Sequence, residues 1–149
     1  VTGLIPDGIH VHPAVMQIIW SLKGPHETNL VSDAMAALGM PPGTYLLNDF
    51  EVTVNERDCR MADGRLAGSI LPLDEALRNL IEMTGCALPE ALATVTSTPA
   101  KLLGIDDQRG DIAAGMIADM LLLTADLQVH TTIAAGEIVF TNDQPLAAE

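Results

Sequence analysis

Apolar and polar positions divide the chain into a front in which helices alternate with short strands and a back made of strands alone. Val15, Ile18, Ile19 and Leu22 recur at i, i+3, i+4 and i+7, the repeat of one helix face. Pro13 suits the first helical position, Lys23 lies in the last turn, Gly24 supplies a C-cap and Pro25 forbids continuation. An amphipathic helix of about ten residues is therefore predicted to open at Pro13. Before it, Gly3 to His12 is an extended stretch punctuated by Pro6 and Gly8, and after it Asn29 to Asp33 is a short, apolar, buried strand. Strand, helix and strand in succession predict a βαβ unit, with parallel strands and helices covering the sheet. Ligand sites in such folds lie at the carboxyl ends of the strands, which His10 and Asp33 occupy.

Residues 34–49, with Met40-Pro41-Pro42-Gly43 among them, read as a loop. Phe50, Val52 and Val54 alternate with Glu51, Thr53 and Asn55, a half-exposed strand. Its expected partner is Cys59 to Met61, followed by a turn at Ala62-Asp63-Gly64, so a small hairpin is inserted at about 49–66. Leu73, Leu77, Leu80 and Ile81 form the stripe of a second helix, with Asp74 and Glu75 complementing its N-terminal dipole and Gly85 ending it. Pro89 and Thr98-Pro99 open two short helices, the second closed by Gly104. Beyond Arg109 the pattern changes to strands at Met120–Leu123, Gln128–Ile133 and Glu137–Phe140. The expected organisation is an α/β front, 1–108, and a β tail, 109–149. Two parallel strands cannot satisfy their own outer edges, so further strands come from outside this chain or the piece is not stable alone. The start at Val1, directly in a strand-like run, fits the downstream piece of something larger.

Length, at 149 residues, predicts about one domain. Seven Lys plus Arg against twenty Asp plus Glu give a net charge of −13, which argues against nucleic acid and anionic membrane surfaces as partners. Apolar residues reach 48% and charged residues only 18%, so the chain has the means to bury a core and is no disordered acidic tail. Cys59 and Cys86 make no disulfide framework and no CxxC pair, which fits reduced thiols. No apolar run approaches the ~20 residues of a membrane span, and no secretory signal is visible. A cytoplasmic protein is expected.

Candidate chemistry is concentrated in few residues. In a strand, His10 and His12 would share a face, and imidazole is a common metal ligand. Two histidines do not complete a coordination shell, however, and His12 precedes Pro13 at a helix start. His10 is therefore the functional candidate and His12 a cap or surface histidine. Asp33 is either an N-cap for the turn that follows or a general base at the mouth of the sheet. His26 and His130 read as surface residues, and the scattered methionines as core filling. Neither phosphate-cradling glycine motifs nor GxSxG or HExxH sequences occur.

Four segments, Pro6-Asp7-Gly8-Ile9-His10-Val11, Leu30-Val31-Ser32-Asp33-Ala34-Met35-Ala36, Leu66-Ala67-Gly68-Ser69-Ile70-Leu71 and Ala76-Leu77-Arg78-Asn79-Leu80, together resemble the N-acetylglucosamine-6-phosphate deacetylase family in order and spacing. Thr98-Pro99-Ala100-Lys101-Leu102-Leu103-Gly104 and Gly110-x4-Gly115-x2-Ala118-Asp119 resemble a C-terminal signature of amidohydrolases at large. The resemblance implies the last part of a (β/α)8 barrel, about strands seven and eight with their helices, followed by strands of a small β-sandwich. It implies a metal-dependent hydrolase that removes the acetyl group of an amino-sugar phosphate. The divalent metal, zinc or similar, would be held by a Glu and two His on earlier strands, with no metal ligand in this chain. His-Val-His is not the metal-binding pair of a first barrel strand, because six βα units do not fit before the C-terminal signature.

By resemblance, Asp33 is the catalytic carboxylate, taking a proton from the metal-bound water and delivering it to the departing amine. His10 hydrogen-bonds the substrate near the acetamide carbonyl, Asp7, Gly8 and Ile9 belong to the same substrate-binding segment, and Leu66, Ala67 and Gly68 match the loop that contacts the sugar. Ser32 departs mildly from the family, which often has Thr there, and the cationic phosphate clamp is assigned to the missing part. The implied partners are the amino-sugar phosphate and either a second copy or a complementary N-terminal part. The competing readings are another amidohydrolase acting on a cyclic amide, and a catalytically inactive fragment serving as an interaction module.

Overall fold

A computed structural model describes residues 1–47 and 49–142. Strand β1 (Thr2–Leu4) pairs in parallel with β2 (Thr28–Leu30), in the register Thr2 to Thr28 and Leu4 to Leu30, and helix α1 (Pro13–Lys23) connects them. The βαβ unit is therefore present, but both strands are shorter than the sequence suggests. Pro6 lacks an N–H for a ladder, and Gly8 takes a left-handed φ of 70°, so the chain leaves β1 in a turn. His10 and His12 consequently stand beyond the strand, and the shared-face argument for the pair does not hold. His12 is the N-cap of α1, its Nδ1 accepting the Ala14 N–H at 3.2 Å, with Pro13 in the first turn. At the other end the Gly24 N–H returns to the Trp20 carbonyl at 2.8 Å.

Helix α1 buries Met16 and leaves Val15, Ile18 and Leu22 exposed. Its opposite number, α2 (Leu73–Thr84), buries Ala76, Leu77 and Leu80 and ends on Gly85 at a left-handed φ of 69°. Leu4, Met16, Leu30, Leu71, Leu77, Leu80 and Ala91 form the main core between the two strands and the helices. Short helices α3 (Leu88–Ala93) and α4 (Ser97–Leu103) follow, the latter capped by Gly104.

Between β2 and α2 lies a three-stranded antiparallel sheet, β3 (Gly43–Leu47), β4 (Phe50–Val54) and β5 (Cys59–Met61). The expected hairpin strands are there, but β3 falls inside the stretch read as loop. Tyr45 and Leu47 of β3 pack on a second core of Met35, Ala37, Val52, Val54, Cys59 and Ala67. The tail folds as β6 (Met120–Leu123), β7 (Val129–Ala134) and β8 (Glu137–Thr141), antiparallel in that order. These three strands form one sheet of their own, not hydrogen-bonded to the other two.

The amidohydrolase-like signature has a structural explanation. Gly110 adopts φ +95°, and a Cβ there would come within 2.6 Å of the Ala100 Cβ and 3.0 Å of the Thr96 carbonyl oxygen. Asp119 pairs with Arg109 and accepts the Ala135 N–H at 2.8 Å, holding the β7–β8 turn.

Candidate functional site

Because β1 and β2 are parallel, the segments that follow them leave the same end of the sheet, and the Val31 N–H to Leu4 carbonyl bond at 2.9 Å keeps the two exits side by side. The first exit is organised by Asp7. One carboxylate oxygen accepts the backbone N–H groups of Ile9 (2.9 Å) and His10 (2.8 Å), and the other meets His10 Nδ1 at 2.6 Å. The Asp7 side chain is 9% exposed and the His10 ring 20%. Burial pushes the Asp7 carboxyl up, yet the bonds from the His10 ring, the His10 and Ile9 amides and the His10 charge outweigh it, leaving it below the ordinary aspartate value. Asn79, from α2, donates to the Pro6 carbonyl at 2.8 Å and anchors the turn on the helix.

The second exit carries Asp33. Its backbone has φ 49°, left-handed for a non-glycine residue, and its side chain is exposed. Neighbouring bonds fix that conformation: the Asp33 carbonyl accepts the Ser69 N–H at 2.8 Å, and the Ser69 carbonyl accepts the Met35 N–H at 2.9 Å. Ser69 Oγ donates to the Ser32 carbonyl and accepts the Leu71 N–H at 3.1 Å. Gly68, at φ +89°, lies so close that a Cβ would sit 2.9 Å from the Asp33 carbonyl oxygen and 3.8 Å from its Oδ2. Asp33 thus acts as neither helix cap nor strand residue; it is the exposed carboxylate of a clamped loop.

The structure brings Asp7, Gly8, Ile9 and His10 into one turn, and Asp33 together with Gly68 and Ser69. Ala67 is buried in the second core, with its N–H bonded to the Cys59 carbonyl at 2.9 Å, and Leu66 bridges to Arg60, so the Leu66–Gly68 run can meet a ligand chiefly through backbone. Asp7 has both carboxylate oxygens committed within its own turn, which leaves it to shape the loop. Ser69 and Asn79 stand inside the quoted segments without being singled out there; only the structure gives them work. A cavity of about 160 Å³ behind the turn is lined by Asp7, Ser69, Asn79, Glu56, Arg57 and Glu75, among others.

Among the described residues no group of three or more His, Cys, Asp or Glu is placed to hold a metal ion. Nδ1 of His10 is committed to Asp7 and Nδ1 of His12 to the helix cap. Nε2 stays open on both rings, but no third ligand is grouped with them among the described residues.

The model of the amidohydrolase family matches residues 8–139. N-acetylglucosamine-6-phosphate deacetylase of Bacillus subtilis (strain 168) is 37% identical over 97% of this chain and 36% of its own length. A chain of Escherichia coli (strain K12), provisionally named N-acetylgalactosamine-6-phosphate deacetylase, is 38% identical over 91% of this chain and 80% of its own. The solved N-acetylglucosamine-6-phosphate deacetylase of Thermotoga maritima superposes with a TM-score of 0.88 at 37% identity, covering 94% of this chain and 38% of that one. A Mycobacterium smegmatis deacetylase of that name, solved as an aspartate-to-alanine variant in complex with N-acetyl-D-glucosamine-6-phosphate, gives 0.84 at 33% identity, covering 93% of this chain and 37% of that one. The chain thus spans about a third of the length of most of these relatives.

Proposed function

The chain belongs to the amidohydrolase family, and we propose that it supplies the closing strands, about the seventh and eighth, of a deacetylase barrel acting on N-acetylglucosamine 6-phosphate. In this reading the products are glucosamine 6-phosphate and acetate. Asp33 takes a proton from the attacking water and returns one to the departing amine, a task for a carboxylate that is exposed but rigidly placed. His10 offers its ring to the substrate, and backbone groups of Leu66, Ala67 and Gly68 line the sugar. The family's divalent metal would be bound by residues outside this chain. In this reading the reaction takes place in the cytoplasm, and its charged sugar phosphate stays in the compartment where it is formed. No described helix is long and apolar enough to span a membrane.

One observation carries this reading. The left-handed backbone at Asp33, clamped by Gly68 and Ser69, is strain retained where a side chain must be aimed. The test is Asp33→Asn in the complete protein. Turnover is expected to fall by about 100- to 10,000-fold, with the thermal midpoint not lowered and bound metal unchanged. Near-normal turnover would remove Asp33 from the mechanism. The Escherichia coli relative, of which this chain covers 80%, raises the C4 epimer as a second substrate. Comparing kcat/KM for the two acetylated sugar phosphates decides between them.

A further inference from the structure

The two histidines of His-Val-His have their Nδ1 atoms engaged in opposite senses. His12 Nδ1 accepts the Ala14 N–H at 3.2 Å, so the neutral ring carries its proton on Nε2. His10 Nδ1 lies 2.6 Å from Asp7 Oδ2. A carboxylate only accepts, so in the neutral ring Nδ1 of His10 must carry the proton and Nε2 the lone pair. We propose that Asp7 is a positioning residue for the substrate site: it holds His10 in the Nδ1–H form and turns an acceptor, Nε2, toward a hydroxyl or amide donor of the sugar. This rests on the functional reading above for the substrate, but the ring state itself does not.

The geometry makes a sharp distinction between Asp7 and its amide. Asp7 Oδ1 is already taken by two backbone N–H groups, of Ile9 and His10. An asparagine would have to keep its carbonyl oxygen there, and its NH₂ would then face the imidazole. Nδ1 would become the acceptor and the proton would move to Nε2, with the turn still intact. Aspartate-to-asparagine substitution behind a catalytic histidine misplaces the proton in the same way in serine proteases.

The test is two-bond ¹H–¹⁵N correlation of histidine-labelled protein, well above the ordinary histidine pKa of about 6.5. Expected are Nδ1–H for His10 and Nε2–H for His12, the internal control, and a switch of His10 to Nε2–H in Asp7→Asn. Nε2–H on His10 in the unsubstituted protein, or no switch in the variant, overturns the proposal. In the complete protein, Asp7→Asn is expected to lower kcat/KM by about 10- to 100-fold. On a His10→Gln background the same substitution should cost less than about twofold, because Asp7 acts through the ring. An equal loss on both backgrounds makes Asp7 a scaffold only and overturns its positioning role. Failure of the deacetylase reading would instead appear as unaltered turnover in Asp33→Asn, whatever state the His10 ring is in.

Discussion

Asp33 holds a left-handed backbone at φ 49°. Aspartate and asparagine tolerate a left-handed backbone better than most residues, so Asp33→Asn should keep or slightly raise the thermal midpoint while activity is lost, as calorimetry beside a kinetic assay would show. Gly68→Ala should cost stability, about 1–3 kcal/mol in urea unfolding, because a Cβ at φ +89° meets the Asp33 carbonyl oxygen. Asp7 makes a pH prediction. Its carboxyl lies below the ordinary value in the folded state, so its contribution to stability is full above the unfolded value and is lost as pH falls through the folded one. Stability of the unsubstituted chain should drop more steeply below about pH 4 than that of Asp7→Asn, and parallel acid unfolding curves would contradict this. Asp33, His10 and Gly68 were proposed from short motifs in the sequence, and the structure places Asp33 beside Gly68 and His10 in the turn of Asp7. The cap at His12 was legible beside Pro13, but the inward commitment of Asp7 was not, since a carboxylate turned inward and one turned to a ligand are spelled alike.

Among the elements, α1 and α2 were the most legible: both have proline or acidic starts, an apolar period and a glycine stop. Even so, Val15, Ile18 and Leu22 announced α1, while Met16 is the residue it buries; periodicity reveals a face without saying what covers it. Strand β3 was hidden because Gly43-Thr44-Tyr45-Leu46-Leu47 follows two prolines, and the exposed Leu46 spoils its alternation. The carboxyl ends of β1 and β2 were overextended because Ile5, Ile9, Val11 and Val31 look strand-forming, although turns organised by side chains supervene. Helix α2 is the central support. Leu80→Ala, at a fully buried position, should cost about 2–5 kcal/mol in denaturant titration. Arg78 joins α2 to the tail through the Leu127 carbonyl at 2.8 Å while paired with Asp74 at 2.9 Å. Arg78→Leu should cost about 1–2 kcal/mol, with amide exchange rising first around the β6–β7 turn.

As a whole molecule the chain exposes 9276 Å², against roughly 7,300 Å² for a compact monomer of its mass. Among the described residues β1 and β2 pair only with each other, and Ile18 and Leu22 of α1 stand 59% and 76% exposed. Alone, the chain should self-associate and release no acetate from N-acetylglucosamine 6-phosphate. Sedimentation velocity should show the Ile18→Lys, Leu22→Lys double variant shifted toward monomer, and an unsubstituted chain that already runs as a clean monomer would refute the expectation. The bridge from Ala34 to Ser69 has a different consequence. It fastens the neck of the excursion formed by β3, β4 and β5, so that polypeptide enters and departs through one clasp. The three strands beyond that clasp could be lengthened, traded or nicked, provided Gly68 and Ser69 at its edge still close on Asp33.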